Sequence, residues 1–303
     1  MGSVGGVGRV GGRLAVDAYG EAVPDIAARL RALSDLPGVA DGSDAAREAC
    51  TRLRFEEALR RRMPEAAAES RVRGARASAA LDGAEVPVDR VRALMVGSSV
   101  ARGSDPVDLV VRGAVQATAE SEHVVGLVLT APWQALARLH VAAMAGVLPA
   151  DQVGRPRHAG EMARELTDVG AAPGADEVTA RLAGVTEMLQ VVGSPGVSGL
   201  VVASVVHAEV AAVRPFVQGN GVVARAVERA LVQATGLDPT GVAVPEVGHL
   251  RGGLAPYVGA LAAYATGTAD GVALWLRHCA DAVIAGAEEG MRVCAAVRAG
   301  RLS

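Results

Sequence analysis

The chain has no lysine, one asparagine and only two isoleucines, Ile26 and Ile284, among its 303 residues. All 30 basic residues are therefore arginines, which stay charged at any physiological pH. Such a bias follows a GC-rich genome rather than a function, yet it gives the lone Asn220 unusual weight. Aromatic residues are scarce at 2%, so the core has to be built from Ala, Val and Leu, which suit closely packed helices. Cys50, Cys279 and Cys294 are odd in number, widely spaced and in no CxxC pair. That excludes a disulfide framework and a cysteine zinc site. Long apolar runs are missing too. The greasiest stretch, residues 197–206, is about half a bilayer span and runs into His207 and Glu209. Residues 1–12 are glycine-rich without an apolar run, so no secretory signal is read there. The net charge of −3, from 30 basic and 33 acidic residues, provides no global field for nucleic acid or an anionic membrane. The expectation is a cytoplasmic protein with no nucleic-acid and no membrane partner.

What is present is apolar and helical. Half of the residues are hydrophobic and the mean hydropathy is +0.29, which excludes a disordered chain. Residues 1–22 read as a flexible arm and 23–303 as a single all-α domain. Gly6 to Gly11 matches GxGxxG, but a dinucleotide fingerprint needs a preceding strand and a βαβ unit, and neither is indicated. Helical spacing is expected over 24–33, 44–63, 65–82, 105–122, 132–145, 176–192, 197–213, 221–233, 254–266 and 269–298. On the second of these, Glu56/Arg60 and Glu57/Arg61 read as i,i+4 pairs. Gly83 supplies a C-terminal stop for the third. Residues 148–176 carry repeated breakers and no sustained period; they read as an extended flap, the one place for a short hairpin.

The segment Arg214-Pro215-Phe216-Val217-Gln218-Gly219-Asn220-Gly221 joins two of these helices. Pro215 pushes Arg214 out of helical geometry, which ends the first helix. Gly219 and Gly221 allow a tight turn, and Asn220 can cap the next helix. At least two backbone N–H groups are expected to point at a common spot, an anion site at a helix N-terminus, with Arg225 one turn further on. An ordinary capped helix–helix turn is the bland alternative. Side chains filling that concavity would defeat the ligand-binding reading and favour the structural module.

Residues 207–225 resemble the signature of the Fic (Fic/Doc) family: His-Pro-Phe, any residue, Asp or Glu, Gly-Asn-Gly or Gly-Asn-Lys, Arg, two residues, Arg. Pro215, Phe216, Gly219, Asn220, Gly221 and Arg225 match. Ser78, Asp82 and Gly83 resemble the inhibitory-helix motif found upstream in many Fic proteins, on an inhibitory-type helix of about residues 65–83. The segment around Gly154–Arg157 falls where the family's target-positioning flap would lie. The chain resembles divergent, actinobacterial-type Fic-like proteins with a degenerate signature.

The resemblance implies a helical fold with a short flap, and AMP transfer from ATP to a protein hydroxyl. It also implies a His base, an acidic Mg²⁺ ligand, a phosphate-holding Gly-Asn-Gly loop and two phosphate-binding arginines. Here Arg214 stands at the base position and cannot accept a proton. Gln218, a neutral amide, stands at the metal-ligand position and is a poor partner for Mg²⁺. Val222 replaces the first Arg. No catalytic residue is intact, and no metal ligand is assigned. His207 reads as a packed residue, and His123, His140, His158, His249 and His278 show no metal-ligand spacing. The expected function is a non-adenylylating Fic-fold protein that binds ATP, another nucleotide or a phosphorylated small molecule at Gly219, Asn220, Gly221 and Arg225. A Fic-related enzyme with altered nucleotidyl or phosphoryl transfer and a structural protein-interaction module are the alternatives. A protein target and a second copy of the chain are further candidate partners. Asp82 is expected to pair with Arg225 or Arg214.

Overall fold

A computed structural model describes residues 25–96, 105–165 and 170–301. The expected N-terminal arm and its GxGxxG match lie outside the described residues. The chain runs α1 Ile26–Ser34, α2 Val39–Arg54, α3 Leu59–Leu81, α4 Val88–Met95, α5 Pro106–His123, α6 Pro132–Met144, α7 Ala175–Gln190, α8 Gly199–Val213, α9 Asn220–Ala234, α10 Pro245–His249, α11 Leu254–Ala265 and α12 Ala269–Arg298. No strand occurs among the described residues. The fold is all-α, as the composition implies.

The helices α8 and α9 form the centre. Every residue of α8 except Gly199 and Ala212 is buried, which is what a helix apolar on all sides requires. Against this pair lie α5, α6, α7, α11 and α12. Small residues set the spacing. At Gly248 a Cβ would sit 2.1 Å from the Ala282 carbonyl oxygen, and at Gly286 one would sit 2.7 Å from the Val244 carbonyl carbon. The short α10 can press onto α12 only because both positions lack side chains. A second, smaller apolar cluster of Val72, Ala75, Ala79, Val91, Val111 and Ala114 joins α3, α4 and α5.

Three expectations need correction. The helix read over 44–63 ends at Arg54, and α3 begins at Leu59. Glu56/Arg60 and Glu57/Arg61 therefore straddle a turn and are not i,i+4 pairs on one helix. Pro64 has no N–H and its ring crowds the carbonyl four residues back; Arg62 takes φ −132°, ψ 31° and kinks the start of α3. The helix α4, between Pro87 and Val96, lies outside every stretch of expected helical spacing; it is only eight residues long, too short for a clear period. Finally, no hairpin forms among the described residues of the flap. After one short 3₁₀ turn at Ala150–Gln152 the flap bends at the left-handed Gly154 and turns at His158–Glu161, and its backbone binds the Arg214–Gln218 turn. Arg157 N–H donates to the Pro215 carbonyl at 2.7 Å, and Arg164 N–H to the Val217 carbonyl at 2.6 Å.

Candidate functional site

The turn between α8 and α9 is built around two left-handed residues. Arg214 has φ 50°, the one non-glycine positive φ among the described residues, and Gly219 has φ 81°. Pro215 makes continuation of α8 unfavourable, and the left-handed Arg214 closes the helix with its N–H on Val210 O. Gly219 needs both its φ and its missing side chain, since a Cβ there would meet the Met144 Cε at 2.7 Å.

Gly219, not Asn220, is the N-cap of α9, so the capping role expected of Asn220 is corrected. Asn220 is instead the first helical residue, and its side chain reaches back. Its Oδ1 accepts the Phe216 N–H at 2.8 Å while its Nδ2 donates to the Phe216 carbonyl at 2.9 Å. The buried amide thus staples the turn shut.

The anion nest is occupied. From the flap, Glu165 Oε1 accepts the Asn220 backbone N–H at 3.1 Å and also an N–H of Asn220 Nδ2. One backbone and one side-chain donor converge there, instead of the two backbone donors expected. Burial pushes the Glu165 carboxyl above its ordinary range, and the nearby Asp82 charge adds to this; the Asn220 donors and Arg214 oppose it. The concavity at the start of α9 is therefore filled by a side chain that sequence reasoning did not single out.

Arg225 lies one turn along α9 and is almost wholly buried. Its Nη2 is 2.8 Å from Asp82 Oδ2 and 3.0 Å from the Ser78 carbonyl, and its Nε donates to Ser78 Oγ at 2.8 Å. Burial disfavours the charge, but Asp82 and Tyr257 outweigh it and hold Arg225 protonated. Asp82 reaches it because α3 stops there. Gly83 (φ 84°) and Ala84 return N–H groups to Ala80 O and Ala79 O at 3.0 and 2.9 Å, the Schellman closure that favours glycine. The expected pairing of the motif acid with a signature arginine is present, with Arg225 as the partner.

Arg214 points elsewhere. Its Nη1 donates to the Gly170 carbonyl at 2.8 Å and its Nε to the Ala212 carbonyl at 3.3 Å, while its own carbonyl accepts from Arg157 Nε at 2.8 Å. The flap is pinned further by Arg155, which grips Glu161 through two bonds of 2.7 and 2.8 Å. Those bonds and the His158 N–H hold the Glu161 carboxyl down at about 2. His140 on α6 completes the clasp. Its Nδ1 accepts the Gly154 N–H at 2.9 Å, its Nε2 lies 3.1 Å from the Gln218 carbonyl, and its ring stacks on Phe216 at 4.0 Å. Burial lowers its pKa to about 4, so the ring is neutral, with its proton on Nε2.

Beside the turn is a cavity of about 170 Å³, with apolar walls that include Leu109, Met144 and Val222 and a polar side of Asp82, Glu165 and Gln218. This region does not fit a Mg²⁺-polyphosphate. Asp82 is committed to Arg225 and Glu165 to Asn220, Gln218 offers only a neutral amide, and Val222 offers nothing. A single oxyanion does fit the Asn220 donors, since a carboxylate already sits on them.

No family model and no curated protein matches the chain. Solved structures do. A Fic family protein from Desulfovibrio desulfuricans superposes with a TM-score of 0.66 at 22% identity, covering 84% of this chain and 74% of that one. Fic-1 from C. elegans gives 0.61 at 15% identity over 86% and 73%. A Fic domain containing signaling protein from Bacteroides thetaiotaomicron gives 0.57 at 13% identity over 84% and 97%. No helix among the described residues is long and apolar enough to cross a membrane. At these identities the likeness establishes architecture and carries no chemistry across: the chain has the fold of Fic family proteins, in a divergent sequence.

Proposed function

We propose that this protein does not transfer AMP and that its Gly219–Gly221 turn holds the phosphate of a small molecule or nucleotide only when Glu165 leaves it. The observation that carries this reading is the Glu165 carboxylate on the Asn220 N–H groups. An oxyanion is bound where a phosphate would bind, and it belongs to the chain itself. Loss of a general base alone costs about 10²- to 10⁴-fold in rate, and Arg214 cannot serve as one. Gln218 and Val222 remove the metal ligand and a phosphate-binding arginine as well. Incubation with α-labelled ATP and Mg²⁺ or Mn²⁺ should leave the protein and added targets unlabelled, and Arg214→His alone should not restore labelling.

The filled concavity is the outcome expected to go against ligand binding in the turn as it stands, so the same observation favours a second reading, in which the filled turn is only a helix start within a protein-interaction module. Thermal shift with inorganic phosphate, AMP and ATP separates the two. The wild-type protein should respond weakly and Glu165→Ala clearly, because a ligand at 100 times its Kd adds about 2.7 kcal/mol. A Glu165→Ala protein that folds and is shifted by none of them leaves the interaction module as the reading.

A further inference from the structure

Behind Arg225, the core holds a cluster that neither the turn nor the flap uses. His207 on α8, Glu228 on α9 and His249 on α10 are completely buried. Glu228 Oε2 lies 2.7 Å from His207 Nδ1 and 2.7 Å from His249 Nε2, and the three side-chain atoms fall within 4.8 Å of one another. The histidines, which show no metal-ligand spacing in the sequence, are thus brought together with an acid by three different helices. The second carboxylate oxygen, Glu228 Oε1, is buried and has no hydrogen-bond partner among the described residues, an arrangement that native proteins rarely leave standing. The neighbouring guanidiniums do not serve it: Arg225 is paired with Asp82 and Arg229 with Glu246.

Two imidazole nitrogens and a carboxylate are the donor set of borderline divalent ions, zinc foremost. Ligating imidazoles also need an acceptor for their outer N–H, and both have one. His207 Nε2 lies 2.8 Å from the Tyr257 hydroxyl oxygen, and His249 Nδ1 lies 3.1 Å from His278 Nε2. On binding, each ring proton moves from the inner nitrogen to the outer one, so neutral rings release no proton. We propose that His207, Glu228 and His249 bind one divalent transition-metal ion of the zinc type, a core site separate from the Gly219–Gly221 turn. The unpartnered oxygen of Glu228 is a fourth donor for that ion, and the ion is the cation this buried carboxylate otherwise lacks.

Because the cluster is sealed, the ion must enter during folding, and the test is made on protein produced with metal present. Chains expressed in zinc- or cobalt-supplemented medium, purified and dialysed against EDTA, should retain about one ion each by elemental analysis. The cobalt form should show the visible bands of a four- or five-coordinate nitrogen–oxygen site. Glu228→Gln should abolish retention; if that variant does not fold, the wild-type stoichiometry and cobalt spectrum decide alone. Wild-type protein holding less than about a tenth of an ion from either medium, or cobalt removed by EDTA with only six-coordinate bands, overturns the proposal.

Discussion

The Asp82 carboxylate lies 2.8 Å from the Arg225 guanidinium, whose remaining donors include two bonds to Ser78 one turn earlier on α3. One arginine thus ties the end of α3 to the start of α9. Gly221 makes room for the pair, since a Cβ there would stand 3.2 Å from both Asp82 Oδ1 and Arg225 Nη1.

Breaking this tie from the acidic side leaves a buried charge without its partner. Asp82→Ala is expected to lower stability by about 3 kcal/mol, measured by denaturant unfolding. Ser78→Ala, which removes a single hydroxyl acceptor, should cost about 1 kcal/mol. Equal, small effects from both would show that Asp82 does not neutralise Arg225.

Two glycines with similar φ should respond differently to alanine. Gly83 has φ 84° with nothing within 4 Å of an added Cβ, whereas Gly219 has φ 81° with Met144 at 2.7 Å. Gly83→Ala should cost only left-handed strain, about 1 to 2 kcal/mol. Gly219→Ala adds overpacking of a further 1 to 3 kcal/mol or so. Comparable losses would mean that the close approach of α6 to the turn is not present in solution.

The clasp at His140 titrates. Its neutral ring accepts the Gly154 N–H, and its pKa falls from the usual 6.5 to about 4 because it is buried. Between those values the unfolded chain binds a proton that the folded one does not. The contribution of His140 to stability is therefore full above about pH 6.5, falls as the pH drops and levels off below about 4, by at most about 3 kcal/mol, on top of the like contributions of His207 and His278, which burial also lowers to about 4. Unfolding free energies from pH 7 to 4 should show this slope, reduced in His140→Gln. An unchanged slope in that variant would assign it to other groups.

The helical architecture and the Arg214–Arg225 turn were legible because each leaves a local signal. Ala/Val-rich stretches with helical spacing end at Pro or Gly, and Pro215-Phe216 with Gly219-Asn220-Gly221 marks a tight connection. Asp82 was legible through the resemblance of Ser78, Asp82 and Gly83 to the inhibitory-helix motif. Glu165, His140 and the His207–Glu228–His249 cluster were not. Glu165 lies inside an aperiodic segment, so no period places its side chain. His140 reaches Gln218 across 78 positions, and the cluster draws on α8, α9 and α10. Such contacts are made by packing, not by spacing. Even Asn220 was only half readable: the residue type announced a turn, but Gly219 took the cap and freed its amide for Phe216 and Glu165.

The central claim is that the Glu165 carboxylate sits on Asn220, and the composition offers a clean way to test it. Asn220 is the single asparagine, so selective ¹⁵N-asparagine labelling yields one backbone amide and one side-chain NH₂ pair in a proton–nitrogen spectrum. The account predicts a strongly downfield, exchange-protected Asn220 backbone amide in the wild-type protein. In Glu165→Ala both signals should move and the amide should lose protection, and adding inorganic phosphate should then return it downfield. Asn220 signals that are identical in the wild-type and Glu165→Ala proteins, with or without phosphate, would contradict the claim.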